Sequence, residues 1–215
     1  MVGGARRVER IDADVALALD VRDVASCERL VEAAGPVDVL VNAAGLALGR
    51  HPVDESSEEE ERTVLETNVN GLVRMTRLVL QRTLREPGHI VNIGSVAGRW
   101  AYPHGASYIA SKFAVRGFTR ALREDLLGRD IRVTTVDAGL VETEFSLVRF
   151  RGDAQRAKAV YEGTRPLSDE DVAECVLFAV TRPRHVVVDE LVVMSIDQSS
   201  GGRIHRRSDA GLVPQ

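Results

Sequence analysis

Short, nearly unbroken apolar runs alternate along this chain with longer segments of helical periodicity, and that alternation limits its fold more than any other feature. "VALALDV" (15–21), "VDVLVNAAG" (37–45), "HIVNIGS" (89–95), "IRVTTVDAG" (131–139) and "ELVVM" (190–194) read as strands. Between them, 21–34 reads as a helix closed by Gly35-Pro36, and 107–127 as a helix ending at Gly128. Residues 57–86 read as one long helix, with Leu65, Val69, Leu72, Val79 and Leu80 at helical spacing. Ser57 and Glu60 suggest a capping box at its start, where the acidic run 58–61 suits the positive end of the helix dipole. A further helix is predicted over 169–181. Strands alternating with helices imply βαβ units, hence a parallel sheet covered on both faces. Strands buried on both faces need continuous apolar runs, as these are.

The 215 residues suit one domain with a substantial core. Residues 1–200 are predicted to form it, with 201–215, "GGRIHRRSDAGLVPQ", as a polar, loosely packed tail. A net charge of -4 gives no electrostatic case for nucleic acid or an anionic membrane as partner. Two cysteines, Cys27 and Cys175, make no disulfide framework and suit a reducing compartment. No apolar run approaches the roughly 18–20 residues that cross a bilayer. The N-terminus "MVGGARRVER" lacks the apolar core of a signal peptide. The expectation is a cytoplasmic protein acting on a small molecule, with no metal site.

In open parallel sheets, ligands bind at the carboxyl ends of the strands. Polar and small residues cluster at such ends here: Asp20, Asn42 to Gly45, Ser95 and Gly139. Tyr108 and Lys112 open the helix that follows Ser95 and share one helix face. A charge about 4 Å from the phenol is worth up to roughly 4 kcal/mol at an effective dielectric near 20. Lys112 is therefore expected to lower the phenol's pKa by about three units at most, from about 10. Taken alone, such a pair is an ordinary solvated helix pair, Ser95 a turn residue and Asn68 a polar residue inside a helix.

"LDV" (19–21), "NAAG" (42–45), "NVNG" (68–71), "GSVAG" (94–98), "YIASK" (108–112) and "AGLVET" (138–143) match, in order and context, the short-chain dehydrogenase/reductase family. The resemblance covers nearly the whole chain and implies a Rossmann-like, doubly wound parallel sheet and an NAD(P)-dependent oxidoreductase. It implies Tyr108 as general acid/base, Lys112 as its electrostatic partner and ribose ligand, and Ser95 as donor to the substrate carbonyl. Asn68 would hold a proton-relaying water. Asp20 and Val21 would contact adenine, Asn42, Ala43, Ala44 and Gly45 the adenosine ribose, and Gly139, Val141 and Thr143 the nicotinamide. Arg6 and Arg7 suit the 2′-phosphate of NADP rather than NAD; the alternative is two solvated arginines.

"NAAGLALG", "GLVETEFSLVRFRGD" and "IHRR" resemble the branch oxidising 3-hydroxy acids such as serine and 3-hydroxypropionate. Arg149 and Arg151 follow the nicotinamide loop and suit a substrate carboxylate, or equally are surface arginines on a loop. Pairing into a homodimer or homotetramer through the two long helices is also implied. The sequence departs from the family pattern twice. Ala138 stands where proline usually precedes the glycine. At the start, "MVGGARRVERI" looks like the tail of the family's second strand, so a truncated domain without the Gly-rich strand–turn–helix unit is expected. Such a chain would leave "VALALDV" without its usual partners, expose apolar sheet surface and bind NADP weakly. The alternative to an enzyme is a non-catalytic oligomerising or binding protein.

Overall fold

Six strands, every hydrogen-bonded pair parallel, organise the described residues, 1–208, of this computed structural model. They are β1 (Val2–Ala5), β2 (Val15–Ala18), β3 (Val37–Asn42), β4 (Leu84–Ile93), β5 (Ile131–Ala138) and β6 (Glu190–Val193). The helices are α1 (Val24–Ala34), α2 (Glu58–Leu65), α3 (Leu72–Arg82), α4 (Ala106–Asp125), α5 (Phe145–Arg149), α6 (Ala154–Ala159) and α7 (Asp169–Val180). The strand–helix alternation is the doubly wound α/β architecture that the apolar pattern predicts.

The sheet is divided. β3-β4-β5-β6 form one ladder and β1-β2 another. "VALALDV" is therefore not left unpaired: its first four residues run parallel to Val2–Ala5. The N-terminal segment is a strand, as its reading as a strand tail implies. Gly3 and Gly4 lie inside β1, where a Cβ on Gly4 would stand 2.8 Å from Leu30 and 2.9 Å from Leu19. Those glycines serve close packing, not a phosphate turn. A cleft of about 990 Å³ opens between β1 and β3, lined by Val2 and Gly4 on one side and Val37, Val39 and Val41 on the other. The apolar exposure expected for this region is real: Val39 is 41% and Val41 43% accessible.

Helix packing holds the two ladders in one molecule. Leu19 and Val21, just after β2, pack with Cys27 and Val31 of α1 and with Met75, Leu78 and Val79 of α3. On the same face of the larger sheet, α4 lays Leu122 against Ile90, Ile131 and Val133, with Leu126 just beyond its end, and Leu40 of β3 packs against both clusters. His89 is fully buried between β4 and β5. The Thr134 hydroxyl donates to the Val188 carbonyl, so the imidazole Nε2–H must donate to Thr134 Oγ1, at 2.8 Å. Burial holds the imidazole pKa down to about 4.

The single long helix predicted over 57–86 differs in two ways. Glu66–Gly71 unwind into a π-helical turn between α2 and α3. The last residues are strand: Leu84 already pairs with Val37, because Pro87 excludes a helical backbone there. At the start of α2, Ser57 Oγ accepts the Glu60 amide at 3.4 Å, but the reciprocal half of the capping box is absent. The Glu60 carboxylate takes the Arg151 guanidinium instead, at 2.6 Å.

The tail reading holds only in part. Arg207 Nε donates to Asp197 at 2.9 Å and its amide to the Gly163 carbonyl, so 203–207 are docked; residues 209–215 lie outside the described residues.

Two neighbouring valines test the cleft. Val91 in β4 is fully buried, so Val91→Ala is expected to cost about 2–3 kcal/mol in urea unfolding. Val39→Ala on the cleft side is expected to cost under about 1 kcal/mol. Equal costs would mean that the β3 edge is covered in solution.

Candidate active site

The carboxyl ends of β3, β4 and β5 and the N-terminal turns of α4 converge on one point. Ser95, two residues beyond β4, is buried and caps the short 3₁₀ turn Val96–Gly98 by accepting the Ala97 amide at 3.1 Å. Tyr108 lies in the first turn of α4 and Lys112 one turn later. The Lys112 ammonium donates to the Ile93 carbonyl at 2.9 Å and lies 5.9 Å from the Tyr108 ring centroid. Phe145, the first residue of α5, meets the Tyr108 ring edge-on at 5.4 Å. Arg149, the last, sets its guanidinium carbon 5.8 Å from the same ring.

Asn68 sits in the π-helical turn, fully buried. Its side-chain oxygen accepts the Leu46 amide at 2.8 Å, and its amino group donates to the Leu46 carbonyl at 2.8 Å and to Ser111 Oγ at 3.0 Å. The Ser111 hydroxyl donates in turn to the Tyr108 carbonyl at 2.7 Å. The Asn68 side chain thus staples the loop after β3 to α4. Ser111 is a site residue that the sequence reading missed, since a serine inside "YIASK" carries no signal of its own.

Two cavities flank this point and share Arg6, Arg7, Val41, Ala43 and Gly45 in their walls. The 990 Å³ cleft takes Asp20, Val21 and Asn42 to Gly45 on its wall, while a 630 Å³ pocket is lined by Val141, Thr143 and Phe145. Together they form a groove along the strand ends, divided much as a dinucleotide is divided. Of the expected cofactor residues, Arg6, Arg7, Asp20, Val21, Asn42 to Gly45, Val141 and Thr143 line this groove, while Gly139, Tyr108 and Lys112 do not, and the side chains differ in what they do. Asn42 turns inward, donating to Thr76 and Asn92 at 2.9 Å each, so only its backbone faces the cleft. Val21 is packed against Gly71, where a Cβ would stand 2.5 Å away. Asp20 is occupied by Arg22, which holds its carboxyl down at about 2. Arg7 reaches across the groove to Glu144, at 2.6 and 3.1 Å. Gly139 is closed over by Gln198, whose side-chain oxygen accepts the Leu140 amide at 2.7 Å. Arg151 lines neither cavity and is paired with Glu60.

The short chain dehydrogenase family profile matches residues 5–152. The chain is 42% identical to the NADP-dependent 3-hydroxy acid dehydrogenase of Schizosaccharomyces pombe over 89% of its own length and 76% of that protein's. It is 33% identical to a serine 3-dehydrogenase of Agrobacterium fabrum, covering 97% of this chain and 89% of the relative. Among solved structures it superposes, with a TM-score of 0.86 and 42% identity, on the closed form of serine dehydrogenase complexed with NADP+, covering 96% and 89% of the two chains. The chain belongs to the short-chain dehydrogenase family.

The electrostatics of this dehydrogenase correct one expectation. Tyr108 is not lowered: partial burial pushes the phenol up to about 12, against the opposing pull of the Ser95 hydroxyl and Arg149. Lys112 contributes little because its ammonium is bonded to Ile93 and lies over the ring rather than at the hydroxyl. Burial instead lowers Lys112 itself to about 8, with buried Asp137 partly restoring its charge. Charge on Lys112 is thus held at a cost to the fold at neutral pH. Between about pH 8 and its ordinary value near 10.5, the folded lysine is neutral while the unfolded one is charged, so its contribution to stability rises with pH. Lys112→Met should therefore abolish turnover while leaving the Tm at pH 7 at or above the parent's. A Tm several degrees lower would show that the ammonium stabilises the fold.

Proposed function

We propose that this dehydrogenase oxidises small 3-hydroxy acids, such as serine or 3-hydroxypropionate, with NADP. The observation that carries the reading is Arg149: a guanidinium 5.8 Å from the Tyr108 ring, inside the site, where a substrate's carboxylate has a partner. The relatives named above support the substrate class and the choice of NADP.

In this reading Ser95 donates a hydrogen bond to the substrate oxygen and Tyr108, as phenolate, removes the hydroxyl proton. When bound, NADP supplies the acceptor for the hydride that leaves carbon 3. Lys112 would hold the nicotinamide ribose, and the Asn68 staple keeps α4 in register with the loop that forms the groove. Oxidation needs the phenolate and reduction the neutral phenol, so the raised phenol favours oxidation at alkaline pH. Val141 and Thr143 would line the nicotinamide; Asn42, Ala43, Ala44 and Gly45 would meet the adenosine ribose; Asp20 and Val21 would meet the adenine. Gly139 would shape the nicotinamide turn from behind. Arg6 is the cation available for the 2′-phosphate, joined by Arg7 once it releases Glu144. Leu65 of α2 and Phe113 of α4, both exposed, support pairing of subunits through these helices.

Tyr108→Phe removes the proton-transferring oxygen and keeps the ring packed against Phe145. At saturating NADP, turnover of 3-hydroxypropionate should fall by at least about a thousandfold, the scale of general acid/base catalysis. NADP affinity, measured by quenching of Trp100 fluorescence, should change by less than about threefold, since less than 1 kcal/mol is at stake. Undiminished turnover would remove Tyr108 from the chemistry.

A further inference from the structure

Arg149 is held in a way that leaves it incomplete. Its Nε donates to the Gly49 carbonyl at 3.1 Å, and the Gly49 amide donates back to the Arg149 carbonyl at 3.0 Å. Its Nη1 donates to the Tyr102 phenol oxygen at 3.4 Å. Among the described residues Nη2 has no protein acceptor. Tyr102 is also half used: its oxygen accepts from Arg149, and its own proton has no acceptor in the described residues. Two unspent donors, one cationic and one phenolic, therefore stand side by side at the Tyr108 ring. A planar anion with two oxygens satisfies both at once, as guanidinium–carboxylate pairs do.

The ring that carries this hydroxyl is fixed by space. A Cβ on Gly105 would stand 2.4 Å from Tyr102 Cε2, and one on Gly202 would stand 2.8 Å from Tyr102 Cβ. Both residues must lack side chains for the ring to sit where it does. The guanidinium carbons of Arg50 and Arg149 each lie 5.8 Å from the ring centroid, so the phenol is framed by two cations. A neutral tyrosine so placed positions Arg149 without neutralising it, whereas a carboxylate there would consume its charge.

We propose that Tyr102 is a specificity-determining residue: its hydroxyl pins Arg149 and donates the second hydrogen bond to the carboxylate of a short 3-hydroxy acid. This rests on the reading of Arg149 as the carboxylate partner. Substrates lacking the carboxylate leave both donors unpaired, and a site built to hydrogen-bond a group rejects analogues without it.

The test is NADP reduction with 3-hydroxypropionate and with its neutral methyl ester, for the parent, Tyr102→Phe and Arg149→Ala. Tyr102→Phe keeps the ring between its two glycines and removes only the hydroxyl. Its KM for the acid should rise about tenfold, the loss of one charge-assisted hydrogen bond, with kcat within about twofold and the ester's KM unchanged. An unchanged KM for the acid, or an equal rise for acid and ester, overturns the role of Tyr102. Arg149→Ala should erase the preference for acid over ester. If that preference survives in Arg149→Ala, the carboxylate reading itself falls, and the role of Tyr102 with it. If Arg149→Ala loses the preference while Tyr102→Phe keeps parental values, Tyr102 alone is refuted.

Discussion

One buried amide holds the site together. Asn68, fully buried, makes three hydrogen bonds, to both backbone groups of Leu46 and to Ser111. A buried polar group that loses its partner costs about 1–3 kcal/mol, so these contacts are hard to break singly. They fix the loop after β3, which carries the groove wall, against α4, which carries Tyr108 and Lys112. The π-helical turn is what puts the amide there, since an extra residue in the turn changes which side chain faces inward. A regular helix over 57–86 would present a different face to α4.

A second polar line ties the strand ends to the helices. Asn42 of β3 donates to Asn92 of β4, and Asn92 donates to Thr119 of α4, each at 2.9 Å. Arg99, just beyond the Ser95 turn, bonds Asp137 of β5 at 2.7 Å and pairs with Glu190 of β6. Asp137 is buried and packed against Gly94, where a Cβ would stand 1.9 Å from its carboxylate. Gly94 therefore has no substitute, and the Ser95 turn follows from that contact. The apolar clusters set the layers; these polar lines set the register in which the strand ends meet the helices.

Much of this was legible in the sequence because it rests on period and on local motifs. The strands at 37, 89, 131 and 190 follow from apolar runs, and Ser95, Tyr108 and Lys112 do converge at the β4 end. What was not legible depends on contacts between distant residues. β1 was legible only through the family resemblance, as a strand tail; two glycines in four residues give it no β signal of its own, and its pairing with β2 is what makes it a strand. The π-helical turn has the composition of ordinary helix. Arg149 and Arg151 are indistinguishable in sequence, and only the fold sends one to Tyr108 and the other to Glu60. The phenol's raised pKa reverses a local estimate because burial outweighs a lysine that is occupied elsewhere.

In the proposed reaction a hydride passes from carbon 3 of the hydroxy acid to NADP while Tyr108 takes the proton, and the two hydrogens can be told apart. With deuterium at both hydrogens of carbon 3 of 3-hydroxypropionate, one deuterium follows the hydride, the other stays on the aldehyde carbon, and the proton taken by Tyr108 is unlabelled. Mass spectrometry of the nucleotide after incubation with the protein and NADP should find one deuterium in each NADPH formed, with 3-oxopropionate as the other product. Unlabelled NADPH, or no NADPH from either 3-hydroxypropionate or serine, would contradict the account.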